Sequence, residues 1–253
     1  MVRSSQTLFW IIPVVFLTML GVPSARALTL VELFTSQGCS SCPDADAFLG
    51  ELARRGDVVP LSFHVGYWDY VGWKDPFALP ENLHRQQAYQ RVFRESYVYT
   101  PEMIIGGAAD MSGNSREAAL RTIERVEAES QVPVNLQRRN DGALTVTVGE
   151  GRASDGDMVW FAAVDRWRET VVRRGENRGR TLVNHNVVRS HRTVGIWQGL
   201  PTTVVISPSP MEAVTEGAYV AWVQPATLGP IRGAAVLTMD RPDAVAPAER
   251  EPR

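Results

Sequence analysis

Residues 30–43 read Leu-Val-Glu-Leu-Phe-Thr-Ser-Gln-Gly-Cys-Ser-Ser-Cys-Pro, and they contain both cysteines of the chain, Cys39 and Cys42. Leu30–Phe34 is predicted to form a short strand, because it is mostly apolar and is followed by a turn-forming Gln-Gly. A helix is predicted to begin at Pro43, since apolar residues recur behind it at helical spacing and proline suits a first helical turn. The Cys-x-x-Cys pair is therefore predicted to lie between a strand and the start of a helix.

The spacing of the two cysteines favours redox chemistry. Two intervening residues in a first helical turn bring both sulfurs within bonding reach, so a disulfide opens and closes with little backbone movement. The free N–H groups and the positive end of the helix dipole stabilise a thiolate, which is the attacking species in disulfide exchange. Cys39 is predicted to be exposed and to act as nucleophile, and Cys42 to resolve the mixed disulfide. The alternatives are an inert structural disulfide and a metal site in which His64 joins the two thiolates.

Strand and helix patterns alternate along residues 28–131, which are predicted to form the first domain. Further strands are predicted at Val58–Val65 and Met103–Ile105, and further helices at Asn82–Glu95 and after the N-cap residue Asn114. The alternation predicts an α/β fold in which helices flank a mixed sheet.

Residues 132–240 show a different pattern, with period-two alternation and no helical spacing. Turn-forming sequences separate the predicted strands, which are Leu144–Val148, Met158–Val164, Thr203–Ile206, Tyr219–Val223 and Ala234–Met239. These strands predict a second domain that is all-β and sandwich-like. Residues 241–253, rich in Pro, Ala and charge, are predicted to be a disordered tail.

The first 27 residues have the pattern of a secretory signal peptide. Arg3 precedes an apolar run from Leu8 to Leu20, and small residues at Ala25 and Ala27 suit cleavage after residue 27. A membrane anchor is the alternative, but the run is shorter than the roughly 20 apolar residues of a spanning helix. We expect a periplasmic or secreted protein that does not contact the membrane after cleavage. In an oxidising compartment, a nearby cysteine pair is expected to be oxidised at rest.

The composition is that of an ordinary globular protein, with 44% hydrophobic and 21% charged residues among 253. The formal net charge of −2 argues against nucleic acid as a partner, because a phosphate-binding surface needs an excess of Lys and Arg. Two cysteines are too few for a four-cysteine zinc site. We expect no cofactor and no bound metal.

The turn that carries the cysteines, Leu33–Pro43, resembles the active-site turn of thioredoxins and glutaredoxins. Thr100-Pro101 resembles the second signature of those proteins, in which the proline is cis and faces the Cys-x-x-Cys pair. A narrower resemblance is to a bacterial family of exported thioredoxin-like proteins known as domain of unknown function 1223. It rests on four ordered motifs, which are Val31–Pro43, His64–Pro76, Tyr99–Pro101 and Gly175–Arg180.

The resemblance implies a thioredoxin-like fold for the first domain and a catalytic role for Pro101 beside Cys39 and Cys42. The backbone at Thr100 would offer an extended edge on which a substrate peptide pairs. Glu32 lies close to where thioredoxins bury an acid that relays protons to the resolving cysteine, so it is a candidate for that role. A solvated strand carboxylate is the alternative for Glu32.

Other residues are candidates for binding substrate or supporting the site. Tyr67, Trp68 and Trp73 lie in an aromatic loop that is predicted to dock unfolded protein, since aromatic side chains supply much of the contact energy at interfaces. Packing between the two domains is the alternative for this loop. Four further residues are candidates for supporting the site: His64, Lys74, Arg178 and His185. Arg178 or His185 would reach the cysteine pair and steady its thiolate, unless the segment of Arg178 is simply a hairpin tip.

The predicted function is that of an exported thiol–disulfide oxidoreductase, whose partners are exported protein thiols or disulfides and an electron partner. Cys39 attacks a substrate disulfide, or the Cys39–Cys42 disulfide accepts electrons from substrate thiols. Two alternatives belong to other classes of protein. One is a non-catalytic binding module with a structural disulfide, and the other is a metal-handling chaperone that uses both thiolates.

Overall fold

The structure is a computed structural model that describes residues 28–127, 132–154 and 156–239. The predicted signal peptide, residues 1–27, and the predicted tail, residues 241–253, lie outside the described residues. The described chain forms an eight-stranded mixed sheet, a three-stranded antiparallel sheet and three α-helices.

The first half of the chain alternates strands with helices. Its elements are β1 (Thr29–Thr35), α1 (Pro43–Leu52), β2 (Val58–His64), α2 (Pro80–Phe93), β3 (Glu102–Ile105), β4 (Ala109–Ser112) and α3 (Arg116–Glu127). β1 pairs in parallel with β2 and antiparallel with β3, and β3 pairs antiparallel with β4. The individual strands and helices predicted here are present with small shifts at their ends, and β4 is an additional strand.

The second half of the described chain consists of strands and turns. The strands are β5 (Val134–Arg138), β6 (Leu144–Val148), β7 (Asp157–Val171), β8 (Thr181–Trp197), β9 (Thr202–Ile206), β10 (Gly217–Pro225) and β11 (Gly233–Thr238). β7 and β8 form a long antiparallel hairpin whose register shifts at two places. The sequence patterns indicated only part of β7 and none of β8, because polar residues interrupt the alternation along β8.

Strands from both halves belong to one sheet, in the order β11-β10-β7-β8-β2-β1-β3-β4. β8 pairs in parallel with β2 through Val187 and Ser62, so β2 is an interior strand. The predicted fold class, a thioredoxin-like domain with its own helix-flanked mixed sheet followed by an all-β sandwich-like domain, is therefore wrong. The physical reason is that β8 pairs with backbone groups that an edge at β2 would leave without partners.

The helices and the smaller sheet cover the faces of the large sheet. α1 and α3 pack on one face of β1 and β3, whereas α2 packs on the opposite face. The three-stranded sheet, in the order β5-β6-β9, packs against β7, β10 and β11. Because side chains alternate along a strand, Val31 and Leu33 of β1 face α1, whereas Leu30, Glu32 and Phe34 face α2. This division decides which buried acid lies near the cysteines.

Candidate active site

The candidate active site lies where β1 ends and α1 begins. Cys39 and Cys42 form a disulfide with a Cα–Cα distance of 5.5 Å, and Pro43 is the first residue of α1. A proline at this position already has a helical φ and lacks an N–H that would have no partner inside the helix. The local sequence thus fixes where the helix begins and places the predicted disulfide at its N-terminal end.

Thr100 lies against this disulfide, and the peptide bond between Thr100 and Pro101 is cis, as the resemblance implied. The Sγ atom of Cys39 is 3.8 Å from the carbonyl oxygen of Thr100. It is also 3.3 Å from the hydroxyl oxygen of Ser41. A disulfide sulfur has no proton to donate, so it only touches the carbonyl, whereas the Ser41 hydroxyl can donate to it. Cys39 therefore provides the sulfur that borders the Thr100–Pro101 segment.

Both cysteines are buried, with 0% exposure, so the prediction of an exposed Cys39 is wrong for the disulfide form. The reason is that residues far away in the sequence pack over the turn. Trp68 Nε1 donates to the hydroxyl oxygen of Thr100 at 2.7 Å. Asn177 Nδ2 donates to the carbonyl oxygens of Gln37 and Cys39 at 3.0 and 2.9 Å. A thiol from outside the molecule can reach the sulfur only after part of this cover is displaced.

The loop that joins β7 to β8, residues 172–180, provides much of this cover, and we call it the hairpin loop. Besides the contact of Asn177, Glu176 Oε2 accepts the backbone N–H of Ser40 at 3.2 Å. The hairpin loop also lines a shallow cleft, together with the half-buried Val71. The loop residues that line the cleft are Arg173, Arg174, Gly175, Glu176 and Arg178. Arg178 is therefore exposed on the rim beside the disulfide turn.

A buried polar cluster also contacts the disulfide turn. His64, the last residue of β2, has its Nδ1 atom 2.7 Å from Oδ2 of Asp75, and the same oxygen accepts the Gln37 backbone N–H at 2.8 Å. Burial by itself lowers the pKa of His64, but the charge and hydrogen bond of Asp75, together with the charge of Asp46, outweigh burial and raise it. Burial likewise favours a higher pKa for Asp75, but the charge and hydrogen bond of His64 lower it. We therefore treat His64 and Asp75 as an imidazolium–carboxylate pair.

Asp46 is the second acid of this cluster. It lies four residues after Cys42 in α1, and side chains at this spacing have Cβ atoms roughly 5–6 Å apart on one helix face. Among the described residues, neither Oδ1 of Asp46 nor Nε2 of His64 has a hydrogen-bond partner. Burial raises the pKa of Asp46 to about 7, although the charge of His64 partly opposes this rise. Asp46 can therefore accept or donate a proton beside Cys42 near neutral pH.

Glu32 lies on the opposite face of β1 from α1 and contacts α2 instead. Its carboxylate accepts hydrogen bonds from Arg85 Nε at 2.5 Å, Arg85 Nη2 at 2.9 Å and the Tyr89 hydroxyl at 2.5 Å. Four aromatic rings surround the guanidinium group, those of Phe63, Tyr89, Trp160 and Trp222. Glu32 is therefore not a solvated carboxylate; it faces α2 rather than α1 and is the partner of a buried cation.

The other predicted site residues are spread around the turn. Trp73 Nε1 donates to Gln37 Oε1 at 3.1 Å, and the half-buried Tyr67 has its ring centre 6.1 Å from that of Trp68. Lys74 is exposed.

His185 does not reach the disulfide, because its ring packs against Gly50 so closely that a Cβ atom there would overlap it. Gly50 follows Cys42 by eight positions in the sequence, which is about 12 Å along a helix.

Sequence reasoning missed Asp46, Asp75 and Asn177. A signal existed for Asp46, because it follows Cys42 at the same helical spacing that relates the other buried residues of α1. No local signal identifies the other two. Asp75 binds Gln37 across 38 positions of sequence, and Asn177 binds it across 140.

Two further findings concern metals and membranes. Within residues 28–127, 132–154 and 156–239, no group of three or more His, Cys, Asp or Glu side chains is arranged to hold a metal ion. Across the same part of the chain, no helix has both the length and the apolar character needed to cross a membrane.

Residues 30–224 match a family described as a protein of unknown function, DUF1223. The chain belongs to the DUF1223 family. An Agrobacterium tumefaciens protein of known crystal structure is 32% identical in sequence to this DUF1223 member. The two structures have a TM-score of 0.76, and the match covers 88% of this chain and 100% of that chain. HBP35 of Porphyromonas gingivalis is similar in fold alone, at 13% identity and a TM-score of 0.58 over 90% of this chain and 81% of that chain. No match to this sequence was found among curated proteins.

Proposed function

We propose that this DUF1223 protein is a thiol–disulfide oxidoreductase that acts outside the cytoplasm on the thiols and disulfides of other proteins. The observation that carries the proposal is the Cys39–Cys42 disulfide at the start of α1, with Cys39 Sγ 3.8 Å from the Thr100 carbonyl oxygen. The resemblance of this turn and of Thr100-Pro101 to thioredoxin active sites supports it. The signal peptide predicted for residues 1–27 supports the location.

The exchange proceeds in two steps when the oxidised protein meets a substrate with two thiols. A substrate thiolate attacks Cys39 Sγ, the Cys39–Cys42 bond breaks, and Cys42 leaves as a thiolate that takes up a proton. A second substrate thiolate then attacks the substrate sulfur of the mixed disulfide and releases Cys39. The substrate loses two electrons and forms a disulfide, while the protein gains them as two thiols.

The start of α1 favours both steps. Unpaired N–H groups and the positive end of the helix dipole stabilise a thiolate at this position. A more stable thiolate is a better leaving group, so a disulfide here is easier to reduce than one in ordinary surroundings.

Asp46 handles the proton of Cys42 in this proposal. In its protonated form it donates to the leaving Cys42 thiolate, and as a carboxylate it takes the proton back before Cys42 closes the disulfide. Both forms are present near neutral pH because burial raises the pKa of Asp46 to about 7. The neighbouring His64 keeps this pKa from rising further, since its charge favours the carboxylate.

The variant Cys42→Ser tests the proposal by removing the resolving thiol. Cells that export this full-length variant should accumulate mixed disulfides between Cys39 and exported proteins, visible on non-reducing gels after rapid alkylation. The matched control Cys39→Ser should trap far less. Equal amounts of adduct from the two folded, exported variants would contradict the proposal.

A structural disulfide is the second candidate, and the burial of both cysteines favours it. Reduction of the native protein by dithiothreitol separates the two candidates. A working pair should be reduced without denaturant, whereas a structural disulfide sealed in the interior should resist until the protein unfolds.

A further inference from the structure

The hairpin loop carries an excess of positive charge beside the disulfide turn. Four of its nine residues, 172–180, are arginines, and one is an acid. Backbone hydrogen bonds from Val172 N–H to the Arg180 carbonyl at 2.9 Å, and from Gly179 N–H to the Val172 carbonyl at 2.8 Å, fix the loop. Because Asn177 also ties the loop to Cys39, the charges are held close to the reacting sulfur.

Three of these arginines have no partner for their side-chain charge among the described residues. Arg173, Arg174 and Arg178 are exposed and line the cleft, and among the described residues none of them forms a side-chain ion pair or hydrogen bond. Other exposed arginines, such as Arg116 and Arg139, do pair with acids. The cleft therefore presents cationic groups to whatever approaches the disulfide turn.

The backbone N–H of Ser40 already binds a carboxylate, that of Glu176. Ser40 is the residue directly after Cys39, and its N–H lies 3.2 Å from the Glu176 carboxylate. Both residues are exposed, so this hydrogen bond can exchange with one from another carboxylate. The loop's own acid thus occupies a carboxylate position one residue from the reacting cysteine.

We propose that the hairpin loop selects protein substrates whose reacting cysteines are flanked by Asp or Glu, and that Glu176 is an internal stand-in for a substrate carboxylate. This inference rests on the proposed thiol–disulfide exchange and names its substrate class. A substrate acid replaces Glu176 on the Ser40 N–H and pairs with Arg174 or Arg178. Loss of the Glu176 contact loosens the loop over Cys39 and lets the substrate thiolate reach the sulfur.

The test measures exchange between the oxidised protein and reduced dithiol peptides of equal length and cysteine spacing. The peptides carry acidic, neutral or basic residues around the cysteines, and alkylation followed by mass spectrometry gives each rate constant. Fixed charges beside a reacting site raise association rates by roughly tenfold or more. We expect the acidic peptide to react about tenfold faster than the basic peptide at low salt. In about 1 M salt, where the Debye length falls to about 3 Å, the preference should largely disappear.

Two variants act in opposite directions. The double substitution Arg174→Glu with Arg178→Glu should remove or invert the preference for the acidic peptide. Glu176→Ala should speed the acidic peptide several-fold, because the competing carboxylate is gone. The charge-matched control reverses two exposed arginines of the second half, Arg138→Glu with Arg152→Glu, and should keep the preference.

The rates of the three peptides distinguish a failure of this inference from a failure of the proposed function. If all three peptides react at equal rates with the native protein, the charge selection is wrong while the exchange activity stands. If the control variant loses the preference as fully as the loop variant, net charge rather than the hairpin loop is responsible, and the inference is overturned. If no peptide reduces the disulfide, both the inference and the proposed function fail.

Discussion

Two buried carboxylates on opposite sides of β1 have different surroundings. Glu32 accepts three hydrogen bonds from Arg85 and Tyr89, so its charge is compensated within the core. Asp46 has an oxygen without a partner, lies beside His64, which is already paired with Asp75, and has a pKa raised by burial to about 7. An acid with its own cation belongs to the packing of the core, whereas an acid poised near neutral pH beside a cysteine is suited to proton transfer.

The largest effect is expected from removing the cation of the Glu32 pair. Arg85→Leu leaves the Glu32 carboxylate buried without a counter-charge, which typically costs about 3–5 kcal/mol. Urea unfolding near neutral pH measures the loss. The matched control Arg91→Leu, at an exposed position of the same helix, should change the free energy of unfolding by less than about 0.5 kcal/mol. A loss below about 1 kcal/mol for Arg85→Leu would show that the pair contributes little to the core.

A smaller but more specific effect is expected from Asp46→Asn. Proton transfer by a positioned side chain contributes roughly a hundredfold or more, so closure of the reduced Cys39–Cys42 pair should slow about a hundredfold at neutral pH. In the native protein this rate should rise as pH passes through about 7, where Asp46 loses its proton, and the variant should lack that step. Stopped-flow tryptophan fluorescence during oxidation by a small disulfide measures both quantities.

Glu32→Gln is the matched control for this experiment, because it neutralises the other buried acid. It should lower stability yet keep the rise in rate near pH 7, at which Asp46 titrates. If Glu32→Gln removes the step and Asp46→Asn keeps it, the proton passes through Glu32, as the resemblance to thioredoxins implied.

The turn around the cysteines could be predicted because its determinants are local. Apolar alternation, a Gln-Gly turn and Pro43 all lie within residues 30–43. The joined sheet could not be predicted, since it depends on the pairing of Ser62 with Val187, which no local pattern indicates. The contacts of Asn177 and the burial of Cys39 beneath the hairpin loop could not be predicted either, because they also depend on residues far apart in the sequence.

The sequence alone could not show which of the two buried acids lies on the side of β1 that carries the cysteines. Glu32 and Asp46 flank the Cys-x-x-Cys pair on either side in the sequence, and the resemblance favoured Glu32. To decide between them, one must know which helix packs on each face of β1. Only the contacts in the structure show that Arg85 on α2 neutralises Glu32.

The smallest effect is expected in how the free energy of unfolding depends on pH. A carboxyl group whose pKa rises from 3.8 to about 7 on folding binds its proton more tightly in the folded state. Its contribution to stability is therefore fully present below about pH 4 and is lost as pH rises to about 7. Asp46→Asn has no such loss, so its free energy of unfolding relative to the native protein should improve by about 2 kcal/mol between pH 5 and pH 7. Urea unfolding at several pH values checks this, and a difference independent of pH would contradict the burial of an ionisable Asp46.

The reduction potential of the Cys39–Cys42 couple decides between exchange and a permanent cross-link. Equilibration of the full-length protein with glutathione and dithiothreitol buffers, followed by alkylation and mass spectrometry, gives its value. A working pair should have a potential between about −270 and −120 mV, the range of known thiol–disulfide oxidoreductases. A potential more negative than about −300 mV, typical of structural disulfides, would contradict the proposed function.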